Sequence, residues 1–119
     1  MENNTVTDKP LSILPGNVAF LALAALANGG KMHGFEILRW IEATSHGNLL
    51  LEEGALYPAL HRMQKRGWLD ASWAVSEKGR RAKYYTLTKA GRKAFTTDRA
   101  QWNEYVHAVG LVVSGEEFA

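Results

Sequence analysis

His33 and Glu36 stand three residues apart, a spacing that puts both on one face of a helix; the other histidines are His46, His61 and His107. Two ligands are too few for a zinc site, and none of the other three histidines follows a ligand spacing, so no metal and no cofactor is expected. Ser45 beside His46, and the pair Glu52 and Glu53, supply reactive types without a catalytic motif; adjacent acids ahead of a helix more often serve its dipole. Cysteine is absent, which removes thiolate nucleophiles, thiolate metal sites and disulfides. The expectation is a protein that is not an enzyme.

The chemistry these residues do support is that of concentrated positive charge. Between residues 61 and 93 there are ten basic side chains (Arg62, Lys65, Arg66, Lys78, Arg80, Arg81, Lys83, Lys89, Arg92 and Lys93) against Asp70 and Glu77, a balance of +8. The rest of the chain sets Lys9, Lys31, Arg39 and Arg99 against ten acids, a balance of −6, and the two together give the formal +2. A field of one sign gathered on one part of a small domain attracts polyanions, of which nucleic acid is the commonest in a cytosol. A merely solvated basic face is the alternative on charge alone, so the elements that position the charge have to decide.

Those elements belong to a chain of 119 residues, 46% hydrophobic and 22% charged, which fits one globular domain. Residues 1–10 are polar and aperiodic and read as a flexible arm. Pro15 suits the first turn of a helix in which Val18, Leu21, Ala22, Ala25 and Leu26 recur at helical spacing until Asn28-Gly29-Gly30 stops it. A second helix carries Ile37, Leu38 and Ile41 over residues 33–44. The third carries Leu56, Tyr57, Leu60 and Met63 up to Gly67; Pro58 requires it to start about one turn upstream, at Glu53 or Gly54. From Trp68 the period changes to two: Leu69, Ala71, Trp73 and Val75 share one face. Glu77-Lys78-Gly79 then turns the chain, and residues 80–87 return as a Tyr-rich strand, giving a two-stranded hairpin with a basic tip. Thr88 is a good N-cap for a final helix reaching about Val113, roughly 39 Å long. In that helix Phe95, Trp102 and Val109 recur every seven residues beside a second row with Tyr105 and Val112, interrupted by Asp98 and flanked by Val106 and Val113. Two such rows form a seam for helix pairing.

Three short helices, a basic hairpin and a further helix describe a mainly α winged helix-turn-helix, residues 11–87, followed by a dimerisation helix and tail, residues 88–119. The residues also resemble a known family. The segment Met32-His33-Gly34-Phe35-Glu36-Ile37, then residues 53–63 (EGALYPALHRM), Arg66-Gly67-Trp68-Leu69 and residues 80–88 (RRAKYYTLT) are similar, in that order, to the PadR family of bacterial transcriptional regulators, over about residues 14–93. The resemblance implies a homodimeric repressor bound to a palindromic operator in double-stranded DNA. It also implies the branch with a short dimerisation region, and release from DNA by a small molecule in common with other members. A cytoplasmic location follows, since the longest apolar run falls far short of the roughly 20 residues a membrane span needs.

On this reading the DNA-facing residues of the third helix are Gly54, Ala55, Tyr57, Pro58, His61, Arg62 and Lys65, and those of the wing are Arg80, Arg81 and Lys83. Alternatives stand beside several of them. Tyr57 could pack against the second helix, Arg62 could lay its stem over Trp68, and Arg81 could pair with Glu77 or a helix carboxylate. Strand alternation puts Arg81 and Lys83 on one face with Tyr85 and leaves Arg80 on the other, where a tip arginine can enter a narrow minor groove. Phe95, Trp102, Tyr105, Val106, Val109 and Val112 are the dimerisation residues. Trp102 and Phe95 are also candidates to hold a planar apolar effector at the dimer seam, where a change in helix angle would alter the spacing of the reading heads. Two rival functions use the same features: a winged-helix adaptor docking an acidic protein, and a small-molecule carrier that leaves the basic segment unexplained.

Overall fold

The computed structural model describes residues 9–14 and 16–115. Most of the expected N-terminal arm, Pro15 and the last four residues lie outside them. Helix α1 (Asn17–Gly29) is followed by a short strand β1 (Met32–His33), helices α2 (Gly34–Thr44) and α3 (Glu53–Lys65), strands β2 (Leu69–Val75) and β3 (Arg81–Leu87), and helix α4 (Lys89–Ser114). The order is that of a winged helix-turn-helix.

The core lies where α1, α2 and α3 converge. Leu23, Ile37, Leu56, Leu60 and Met63 are fully buried there, each removing apolar area from water for about 1.5–3 kcal/mol. Gly30, at the end of α1, has φ 87°, a left-handed backbone that glycine adopts without Cβ strain. Helix α2 opens with a capping box: the backbone N–H of Glu36 donates to His33 Nδ1 at 3.3 Å, and the N–H of His33 donates to Glu36 Oε1 at 3.1 Å. Both groups satisfy helix-end donors that would otherwise lack partners. Helix α3 begins at Glu53, so Pro58 sits in its second turn on the exposed face.

The hairpin is part of a three-stranded antiparallel sheet of order β1-β3-β2, with Met32 opposite Tyr85 and His33 opposite Tyr84. The sequence pattern gives two strands and places His33 at the start of a helix. The extra pairing arises because an N-cap residue has extended backbone, here φ −87° and ψ 172° at His33, and two residues are too few to show a period. A second difference concerns the apolar face of β2. Leu69 is buried and Ala71 partly so, but Trp73 and Val75 are 59% and 67% exposed. Alternation is kept, yet past Ala71 the strand runs beyond the core, and this face borders an open cleft with α2 rather than a packed layer.

Helix α4 is joined to the body through Thr88. Its Oγ1 donates to the Gly67 carbonyl at 2.6 Å and accepts from the Gly91 N–H at 3.0 Å, while its own N–H donates to the Trp68 carbonyl. The first two turns then pack on α1, where the Phe95 ring lies 6.2 Å from that of Phe20. Phe95 is only 6% exposed. It therefore closes the core of its own chain and is not a free seam residue; α1 reaches far enough to cover it. Beyond Trp102 the helix leaves the body, which stretches the molecule to 58 Å along its longest axis.

Candidate nucleic-acid interface

Gly54, Ala55, Tyr57, Pro58, His61, Arg62 and Lys65 all lie on the exposed side of α3, opposite the buried stripe of Leu56, Ala59, Leu60 and Met63. The face has two edges. Gly54, Ala55, Pro58 and Arg62 border a groove shared with α1, whereas Tyr57 borders a cleft between α2 and the wing. Tyr57 is 44% exposed, and its ring lies so close over Gly34 that a Cβ built there would stand 2.5 Å from the phenol oxygen. Tyr57 thus packs on the start of α2 and still presents part of its ring to solvent. Burial raises the Tyr57 phenol pKa above its ordinary 10.0, with the Glu53 carboxylate adding to the shift. Burial raises that of Tyr85, with Tyr57 adding to it. Both hydroxyls are neutral near pH 7 and able to donate.

The wing is built by strand register. Trp73 faces Lys83, Ala71 faces Tyr85 and Val75 faces Arg81, so these side chains share the face turned towards α2 and α3. The loop between the strands closes with the Ser76 N–H donating to the Arg80 carbonyl at 2.7 Å, and Gly79 takes φ 77°, the left-handed position that hairpin loops of this length require. Arg80 is thereby held at the tip. Arg81 does not pair with Glu77; its guanidinium stacks on Trp73 at 5.0 Å, and Lys83 lies over Tyr85 at 5.6 Å. Likewise the arginine over Trp68 is Arg66, at 5.1 Å, and not Arg62. Arg62 remains exposed, without a carboxylate partner among the described residues.

The model of the Transcriptional regulator PadR-like family matches residues 22–97, from the middle of α1 through the wing into α4. The chain belongs to the PadR family. It is 35% identical over 83 residues to Transcriptional regulator Rv3488 of Mycobacterium tuberculosis, spanning 70% of this chain and 74% of that protein. Its fold is similar to that of a transcriptional regulator from Clostridium thermocellum, with a TM-score of 0.71 and 25% identity, covering 80% of this chain and 91% of the other. It is similar as well to a PadR family transcription regulator from Clostridium difficile R20291, with a TM-score of 0.70 and 25% identity over 82% of this chain and 99% of that one.

PadR proteins are transcriptional regulators that bind DNA, not enzymes. Within this PadR chain, His33 and Glu36 are occupied with each other at the start of α2, their side chains 3.7 Å apart. Two residues not anticipated at this face, Phe35 and Arg39, line the same cleft as Tyr57, Trp73, Arg81 and Lys83. The guanidinium of Arg39 lies 5.7 Å from the Phe35 ring. Their i,i+4 spacing on the outer face of α2 was readable as a pair. That it faces the wing was not, because the angle between α2 and the hairpin is a tertiary property. No helix among the described residues is long and apolar enough to cross a membrane.

Proposed function

We propose that this PadR chain is a homodimeric, ligand-responsive repressor that reads a palindromic operator in double-stranded DNA. Helix α3, through Gly54, Ala55, Tyr57, Pro58, His61, Arg62 and Lys65, enters the major groove, and Arg80, Arg81 and Lys83 of the wing take the flanking backbone or minor groove. Such a protein works in the cytoplasm, where the bacterial chromosome lies. The observation that carries the reading is the outer half of α4. Trp102, Tyr105, Val106, Val109 and Val112 are all exposed, Val112 by 81%, on a helix that has left its own domain. An apolar stripe of this length in water calls for a partner, and the same stripe on a second copy is self-complementary. Pairing two such helices sets two cationic reading heads at the separation of one duplex turn, about 34 Å.

The effector reading uses the base of the same seam. Trp102 is 39% exposed and its ring lies 6.0 Å from Phe20, so a planar apolar molecule between the two copies of Trp102 would rest on an aromatic floor. Phe95, being buried, forms the layer beneath and not a wall of the slot. A dimer making about six to ten phosphate contacts loses roughly a thousandfold or more in affinity between about 50 and 200 mM salt. Gel-shift titration on DNA upstream of the gene, with solution mass measured at micromolar concentration, tests the reading. Binding that is steeply salt-dependent by a species of twice the chain mass is the expected result. A lone chain, or no shifted duplex at any salt, would sink it.

A further inference from the structure

The cleft between the wing and the start of α2 has a volume of about 950 Å³ and holds an arrangement that the fold does not need. Phe35 and Trp73 are 47% and 59% exposed, so neither contributes much to the core. Each nevertheless carries an arginine on its face: Arg39 over Phe35 and Arg81 over Trp73. Lys83 over Tyr85 makes a third such pair in the same cleft. An aromatic face holds a cation in place through its quadrupole without supplying a counter-charge. A carboxylate partner would have neutralised it. Among the described residues no ion pair engages Arg39, Arg81 or Lys83. Of the two acids that line the cleft, Glu36 is drawn back onto the His33 backbone N–H.

We propose that Phe35 and Trp73 are positioning residues that hold Arg39 and Arg81, with Lys83, as a row of phosphate donors, and that the cleft seats the sugar-phosphate backbone of one strand of duplex DNA. This rests on the DNA-binding reading and extends it to α2 and the inner face of the wing. The cleft lies between the start of α2 and the hairpin, with Tyr57 of α3 at its edge, so a strand bordering a major groove filled by α3 runs along it before the minor groove meets the wing tip. An arginine held over a ring by its cation keeps its planar fork of N–H groups available to reach two phosphate oxygens at once. The Tyr57 hydroxyl, on the α3 side of the cleft, adds a neutral donor.

The test uses the full-length chain and a mixed-sequence duplex of about 30 base pairs, roughly three turns, because the sequence-independent part of binding counts phosphate contacts without knowledge of the operator. Association constants are measured against salt. Trp73→Leu keeps an apolar side chain on β2 but removes the quadrupole, and Trp73→Tyr restores it. We expect Trp73→Leu and Arg39→Ala each to reduce the salt slope by about one and the affinity by roughly eightfold at about 0.1 M salt. Trp73→Tyr should behave as the parent does. Adding Arg81→Ala to Trp73→Leu should cost little more, since the two act as a unit. Arg39→Ala alters an exposed side chain on α2 and leaves every residue of the hairpin unchanged, so it decides the matter even if Trp73→Leu perturbs the wing. Parent-like slopes in both variants, or a Tyr variant as weak as the Leu variant, would overturn the positioning role while leaving DNA binding intact. A parent protein that shows no salt-dependent binding would overturn both readings together.

Discussion

Gly91 and Thr88 together decide how α4 leaves the domain. A Cβ at Gly91 would collide with the Trp68 carbonyl oxygen, a backbone atom that cannot swing aside as a side-chain tip can. Gly91→Ala is therefore expected to destabilise the fold by about 1–3 kcal/mol, the usual range for overpacking, read as a lower urea midpoint. Thr88→Ala removes the N-cap acceptor and the tie to Gly67, and should cost about 1 kcal/mol in the same measurement. A pH effect belongs at this scale too. Burial raises the folded-state pKa values of Tyr57 and Tyr85, so the folded chain holds these protons more tightly than the unfolded one. The resulting stability is complete below the unfolded value of about 10 and is lost as pH rises through the folded values. Urea midpoints should fall above pH 10, and less steeply in Tyr57→Phe.

The wing is the element in which charge and geometry meet. Its strand register turns Arg81 and Lys83 towards α2 and α3, while the loop hydrogen bond between Ser76 and Arg80 holds Arg80 at the tip. Beyond Ala71 the hairpin carries little buried surface, so its tip residues can be changed without touching the core. Arg80→Ala and Lys83→Ala are each expected to weaken duplex binding, with the salt slope reduced by about one per lost phosphate contact. Sedimentation should find the dimer unchanged in both. If either variant loses its dimer, the wing is not the element that meets DNA.

At the scale of the whole molecule, the proposed dimer gives α4 two jobs along one helix. Phe95 belongs to the monomer, and Phe95→Ala should unfold it readily, at a cost of about 3–5 kcal/mol. Val109 and Val112 are exposed on the outer part of the helix, beyond Trp102 and its contact with Phe20 of α1. Val109→Asp with Val112→Asp should leave the far-UV circular dichroism and melting of the winged domain in place, halve the solution mass at micromolar concentration, and abolish tight operator binding. Separate failure of folding and assembly in these two variants is the signature of a helix shared between core and interface.

The sequence alone determined what local periodicity and punctuation can carry. Apolar spacing of three and four placed α1, α2 and α3, Pro58 placed the start of α3, Thr88 placed the cap of α4, and four ordered segments carried the family. The exposed residues of α3 followed from the same periodicity, since a buried stripe implies an opposite face. Tertiary structure decided everything that depends on one element reaching another. It added β1 to the sheet, exposed Trp73 and Val75 by running β2 past the core, moved Phe95 from seam to core because α1 covers it, and exchanged Arg66 for Arg62 over Trp68. It also brought Phe35 and Arg39 of α2 opposite the wing. Residues that are neighbours on one helix or strand write a period into the chain; contacts between elements depend on packing angles and element lengths, which leave no period to read.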